Sequence, residues 1–298
     1  MSLKDISAEV DSLAPGRSTE AGARRRTVLQ AAAGLGYAAA AAPLMAQTAI
    51  TTPADGLDAG RVHFEQDGFQ VPAYRAKPAG KSGLPVVLVV QEIFGVHAYI
   101  ADVCRRLARE GYLAIAPELY ARQGDAASYS EISKLMAELV AKVPDAQVMA
   151  DLDGALAWAG QNGGDTARAG ITGFCWGGRI TRLYAAHGPV KAGVAWYGRM
   201  EGAASPLTPK HPLELAPILR APVLGLYGEK DTGIPLDTIG RMKTALAAGS
   251  AAAKASEFVV YPDAPHAFHA DYRPSYRKGP AEDGWQRALA WFKEHGVV

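Results

Sequence analysis

From Arg61 onward, short apolar segments alternate with stretches whose apolar residues recur every three or four positions. Pro85-Val86-Val87-Leu88-Val89-Val90 is apolar without interruption, the pattern of a strand covered on both faces. Similar runs occupy Leu113 to Ala116, Gly170 to Phe174, Ala192 to Tyr197, Val223 to Tyr227 and Phe258 to Tyr261. Between them Tyr99, Val103, Leu107 and Ala108 mark one side of a helix, and Asp145 is placed to cap a second that reaches Ala159. Leu289, Trp291 and Phe292 mark a last amphipathic helix. Near the start, Arg61 to Glu65 and Gln70 to Tyr74 flank Asp67-Gly68, a tight hairpin signal. This alternation predicts an α/β fold, a mostly parallel sheet with helices on both faces.

The first sixty residues follow another pattern. Arg24-Arg25-Arg26 leads into an Ala-rich apolar stretch from Thr27 to Ala46, the charged, apolar and small-residue order of a secretory signal. Arg25-Arg26-Thr27-Val28-Leu29-Gln30 resembles a bacterial twin-arginine signal, which implies export of the folded protein to the periplasm. An uncleaved anchor or a poly-Ala helix is the alternative, disfavoured because the stretch is short and weakly hydrophobic. The predicted organisation is a signal over residues 1–46, a linker over 47–59 and one domain over 60–298. Removing the signal leaves about 250 residues, a length that one α/β domain fills.

Composition narrows the partners. Lys+Arg 31 against Asp+Glu 30 gives a net charge of +1, so no broad basic field is available for nucleic acid or anionic lipid. A small-molecule substrate is expected. Two cysteines exclude a disulfide framework and a four-Cys zinc site. Cys104 lies among the apolar positions of a helix and reads as buried and inert. Export after cytoplasmic folding implies that both thiols stay reduced.

Gly173-Phe174-Cys175-Trp176-Gly177-Gly178 follows a strand and opens a helix, giving the form Gly-x-nucleophile-x-Gly with cysteine as nucleophile. The turn is tight enough that its flanking positions take only small residues, and it lifts the nucleophile above the sheet. The Trp176 N–H, at a helix N-terminus, can donate to an oxyanion and favours a thiolate at Cys175. Asp231 follows the strand ending at Tyr227, and His266 lies in the loop after the last strand. Nucleophile, acid and histidine in that order match the α/β-hydrolases. In this reading His266 takes and returns protons while Asp231 holds its tautomer. Singly, Cys175 also reads as an inert core thiol, Asp231 as a turn residue and His266 as a surface residue. Glu92, directly after the first buried strand, stands beside a loop whose Ile93 N–H can supply a second oxyanion donor.

Together these motifs resemble the dienelactone hydrolase, or carboxymethylenebutenolidase, family. Gln91-Glu92-Ile93-Phe94-Gly95-Val96, Pro117-Glu118-Leu119-Tyr120, the Cys175 turn, Gly228-Glu229-Lys230-Asp231 and His266-Ala267-Phe268 fall in its order over about residues 60–296. The resemblance implies an α/β-hydrolase fold, Cys175, Asp231 and His266 as a triad, and the Ile93 and Trp176 amides as oxyanion hole. It also implies that Glu92 rests against the thiol and leaves when an anionic lactone binds. No cofactor is implied, and monomer and dimer both stay open.

The chain departs from the family pattern where the substrate carboxylate is bound. The position four residues after His266 is Ala270 rather than Arg, and the segment after Pro117-Glu118-Leu119-Tyr120 has Tyr129 but no arginine beyond Arg122. Arg273 is the candidate replacement, with His269 and Tyr197 as further candidates to line the pocket. His266-x-x-His269-x-Asp271 can also be read as a metal site, but His266 has the better role in the triad. A broader carboxylesterase or thioesterase, and a non-catalytic periplasmic binding protein on the same fold, are the rival functions. A thiol redox role is weakened by the lack of a Cys-x-x-Cys pair.

Overall fold

The computed structural model describes residues 50–298. The expected export signal and its cleavage point lie outside the described residues. Eight strands form one sheet: β1 Leu57–Gln66, β2 Phe69–Pro78, β3 Leu84–Val90, β4 Leu113–Pro117, β5 Gly164–Phe174, β6 Ala192–Trp196, β7 Val223–Gly228 and β8 Glu257–Tyr261. Their spatial order is β1-β2-β4-β3-β5-β6-β7-β8. β1 and β2 pair antiparallel, β2 pairs antiparallel with β4, and the rest of the sheet is parallel. Strand β1 begins at Leu57, inside the segment that the sequence reads as linker.

Local chemistry accounts for the elements. The β1–β2 hairpin turns on Asp67 and Gly68 at φ 51° and 72°, the two positive values that a two-residue turn matched to strand twist demands. In β3, Val86 to Val90 are all fully buried, and each such side chain is worth roughly 1.5–3 kcal/mol in burial. Five long helices cover the sheet: α1 Ala98–Arg109, α2 Asp145–Gln161, α3 Trp176–His187, α4 Leu236–Ala247 and α5 Lys278–Glu294. α1 buries Tyr99, Ile100, Val103, Cys104, Leu107 and Ala108, a stripe at helical spacing. His97 caps it, its side chain accepting from the Tyr99 N–H.

Asp145 does not cap α2 as expected. Pro144 occupies the N-cap position without a side-chain bond, and the Asp145 carboxylate instead takes both Arg179 Nη atoms at 2.7 Å. The first turn of α2 is thereby clamped to α3. The chain moves from β3 to β4 in one direction across the sheet and from β4 to β5 in the other. Right-handed crossovers therefore put α1 on one face and α2 and α3 on the opposite face.

A short strap ties the first described residues to the domain. The Ile50 N–H donates to Asp271 Oδ1 at 3.4 Å and the Thr52 N–H to Asp102 Oδ1 at 2.6 Å. Arg105 Nε donates to the Thr52 carbonyl at 2.9 Å. Asp102 and Asp271, both buried, are bridged by Arg106, which pairs with each of them.

Strands β3, β5, β6, β7 and β8 all run in one direction and end along one edge. The loops that leave those ends carry Glu92 and Ile93, Cys175, Tyr197, Asp231 and His266 in turn. This is the edge where open α/β sheets gather their sites.

Candidate active site

Cys175 sits between β5 and α3 at φ 56° and ψ −116°, a backbone region that residues bearing a Cβ occupy at a cost of order 1–3 kcal/mol. Neighbouring backbone over-determines it. The Cys175 N–H donates to the Trp196 carbonyl at 3.0 Å, and its carbonyl accepts from the Gly178 N–H at 2.9 Å. A Cβ on Gly173 would stand 2.3 Å from the Gly177 carbonyl oxygen, and one on Gly177 would stand 2.5 Å from those of Val90 and Gln91. The glycines are thus required by contact between the turn, β3 and the next helix. Trp176 is the first residue of α3, so its N–H has no carbonyl a turn earlier to bond within the helix. Ile93 is fully buried in the neighbouring loop, which folds back through a bridge between Glu92 and Gly95.

His266 Nδ1 lies 2.7 Å from Asp231 Oδ2, and both residues are buried. Asp231 Oδ1 accepts from the Gly233 N–H at 2.9 Å, so the carboxylate is oriented from both sides. Burial opposes a charge on the imidazole, but the charges of Asp231 and Cys175 and hydrogen bonds to both override it and hold the His266 pKa well above its ordinary value. Nε2 makes no hydrogen bond of regular geometry. The sulfur acts on the ring through a looser contact, as is common before substrate draws such groups together.

Glu92 is buried in the loop after β3 and is held by His97 and Tyr272. The Tyr272 hydroxyl donates to Oε2 at 2.7 Å, and His97 Nε2 lies 3.3 Å from the same oxygen. Burial raises its pKa, but the His97 hydrogen bond, the Arg273 charge and the Tyr272 hydroxyl outweigh it and bring the value to about 2. Arg273 donates from Nε to the Tyr272 hydroxyl at 3.1 Å and stacks over Phe94 at 4.8 Å. Its charge acts on Glu92 and on Cys175 alike. The cation sought from sequence therefore stands at the Tyr272 hydroxyl that holds Glu92, three residues beyond the buried Ala270.

His269 lies behind the site, buried, with Nδ1 2.5 Å from the Tyr99 hydroxyl and its ring 4.4 Å from that of Trp196. Burial and the Arg106 charge lower its pKa to about 3. Tyr197 is buried with its ring 5.1 Å from that of His266. Arg122 is committed elsewhere, to Asp151 and to the Gln66 carbonyl. The three residues of the metal reading face different partners: His266 meets Asp231, His269 meets Tyr99, and Asp271 meets Arg106. Cys104 is free and buried, and burial raises its pKa.

Sequence reasoning assigned no role to His97, Tyr99 or Phe94. The only sequence signal for the first was its place five residues beyond Glu92. It also missed a pocket beside Trp176, lined by Val140, Val143, Arg199, Thr208 and His211, because these residues come from segments without regular periodicity.

A mostly parallel eight-stranded sheet covered by helices on both faces is the α/β-hydrolase fold. The model of the dienelactone hydrolase family matches residues 71–296, and the chain belongs to that family. It is 60% identical over 276 residues to the "Putative carboxymethylenebutenolidase" of Methylorubrum extorquens, covering 92% of this chain and 94% of the relative. A protein of the same name from Escherichia coli (strain K12) is 57% identical over 263 residues, covering 88% of this chain and 96% of the relative. The solved structure of "Putative Dienelactone Hydrolase from Klebsiella pneumoniae subsp. pneumoniae MGH 78578" superposes with a TM-score of 0.77 at 58% identity, over 80% of this chain and 98% of that one. The chain is a carboxylic ester hydrolase of this family, whose substrates are small esters or lactones.

Proposed function

We propose that the protein opens lactones, or cleaves small esters, by acyl transfer through Cys175. The observation that carries this reading is the buried His266–Asp231 pair at 2.7 Å with the Cys175 sulfur acting on the same imidazole. His266 takes the thiol proton, and the thiolate adds to the carbonyl carbon. The oxyanion that forms is met by the Ile93 and Trp176 N–H groups. Collapse expels the alkoxide, which takes the proton from His266 and leaves a thioester. For a lactone the alkoxide stays tethered, so the ring opens. Water, deprotonated by His266, then releases the acid and restores the thiol. Asp231 stabilises the imidazolium in both halves.

Arg273 links substrate charge to this chemistry. At rest it neutralises Glu92. A substrate carboxylate competes for the same guanidinium, frees Glu92 and admits the acyl group to the thiol. Neutral esters lack that competitor. An anionic lactone should therefore be turned over with a higher kcat/KM than neutral p-nitrophenyl esters, and the reverse order would assign a broader carboxylesterase. Cys175→Ala should abolish hydrolysis with the fold intact; hydrolysis at the wild-type rate would remove the nucleophile from this scheme. Export by the twin-arginine route to the periplasm belongs to the same proposal. It is tested by mass spectrometry of periplasmic fractions, where a chain beginning after Ala46 is expected and an intact Met1 confined to cytosol would overturn it.

A further inference from the structure

Tyr197 combines two unfavourable features at one point of the site. It follows the last residue of β6 and has φ 39°, in the left-handed region that glycine favours. Its N–H donates to the Leu226 carbonyl at 2.8 Å, and the preceding Trp196 carbonyl accepts from Cys175, so the unusual backbone is fixed against both β7 and the nucleophile turn. The side chain is fully buried, yet among the described residues its hydroxyl has no hydrogen-bond partner.

Five other buried or half-buried tyrosines differ. Tyr99, Tyr184, Tyr227, Tyr261 and Tyr272 each set their hydroxyl against a partner, namely His269, Asp153, the Gly198 carbonyl, Asp283 and Glu92. A buried donor without a partner is disfavoured in the resting protein and calls for a reason. The surroundings of Tyr197 supply one. Its ring packs edge-on against His266 at 5.1 Å and against Phe268 at 5.3 Å, which fixes the phenol in direction. Burial, with the negative charges of Glu92 and Cys175 nearby, keeps the phenol protonated well above its ordinary pKa. It is a neutral donor whose ring is packed against the proposed general base.

We propose that the Tyr197 hydroxyl is reserved for substrate and donates to an oxygen on the acyl carbon that Cys175 attacks. The phenol keeps its proton throughout, so the proton balance between thiol, His266 and leaving group is unaltered. The assignment rests on the acyl-transfer reading above. It adds a side-chain donor to the two backbone donors, at a point where charge on oxygen grows during the reaction.

The test is Tyr197→Phe in the full chain, assayed on p-nitrophenyl acetate and on an anionic lactone, beside Cys175→Ala. Four quantities are read: kcat, KM, the thermal midpoint, and the pH profile of Cys175 alkylation by iodoacetamide. The expected result is a loss of at least about tenfold in kcat/KM, carried by kcat, as for loss of one hydrogen bond to a charged oxygen. The midpoint should be equal to or above wild type, because the variant removes a buried group that has nothing to bond, and the alkylation profile should be unchanged. A loss under about tenfold, or a midpoint lowered together with activity, overturns the proposal. A displaced alkylation profile also overturns it, by assigning the bond to sulfur. If Cys175→Ala is inactive while Tyr197→Phe is normal, this inference fails alone; an active Cys175→Ala takes the acyl-transfer reading down with it.

Discussion

Glu92 shows what it takes to keep a carboxylate ionised inside an apolar edge. Its burial alone would favour the acid, and only the combined His97, Arg273 and Tyr272 contacts reverse that preference and bring the pKa to about 2. A carboxyl whose folded pKa lies below its unfolded value contributes stability that is complete above about pH 4.5 and is lost as pH falls toward 2. Relative to Glu92→Gln, wild type should lose on the order of 3 kcal/mol across that window. Urea unfolding at pH 6, 4 and 2.5 measures it, and parallel curves for the two proteins would refute the ion-pair account. None of this arrangement was legible from residue 92 itself. The sequence shows an acid after an apolar strand, but Tyr272 and Arg273 are about 180 residues away, and His97 looks like an ordinary helix start.

At the scale of elements, those with a strong local cause could be read directly. The Asp67-Gly68 hairpin, the unbroken apolar β3 and the turn at Cys175 all stand where the sequence puts them. Elements set by tertiary contact were less legible. Helix α4 and the irregular helical turns between Ala126 and Lys142 have no sharp periodicity, and Asp145 left its capping role because Arg179 offered a bidentate partner. The turn at Cys175 makes its own prediction. Gly177→Ala brings a methyl group against two backbone carbonyls at 2.5 Å, where no side chain can yield. It should cost about 3 kcal/mol or more and displace Cys175, so midpoint and activity fall together; a stable, active variant would show that the turn has slack.

Across the whole molecule, the site is the meeting of loops from five parallel strands, held from behind by aromatic and charged packing. His269 belongs to that backing. Its folded pKa of about 3 lies below the ordinary 6.5, so its neutral form stabilises the fold fully above pH 6.5 and progressively less as pH falls toward 3. Between pH 7 and pH 5 wild type should lose about 2 kcal/mol more than His269→Gln. Equal losses would mean that the ring is not confined to its neutral form. The order Cys175, Asp231, His266 was readable because each residue follows a strand signal. The neutral state of His269 was not, because it depends on Trp196 from β6 and on Tyr99 and Arg106 from α1.

The strap at Ile50 to Pro53 has a practical consequence for anyone who wishes to attach something to this protein. The chain enters the domain bonded to Asp271, two residues from Arg273, so a tag or surface linker placed just ahead of Ile50 is joined beside the loop proposed to meet substrate. Val298, by contrast, is held by Arg168 before the buried part of β5, at the far end of the strand from Cys175. Immobilisation or fusion at Val298 therefore joins the domain away from Cys175.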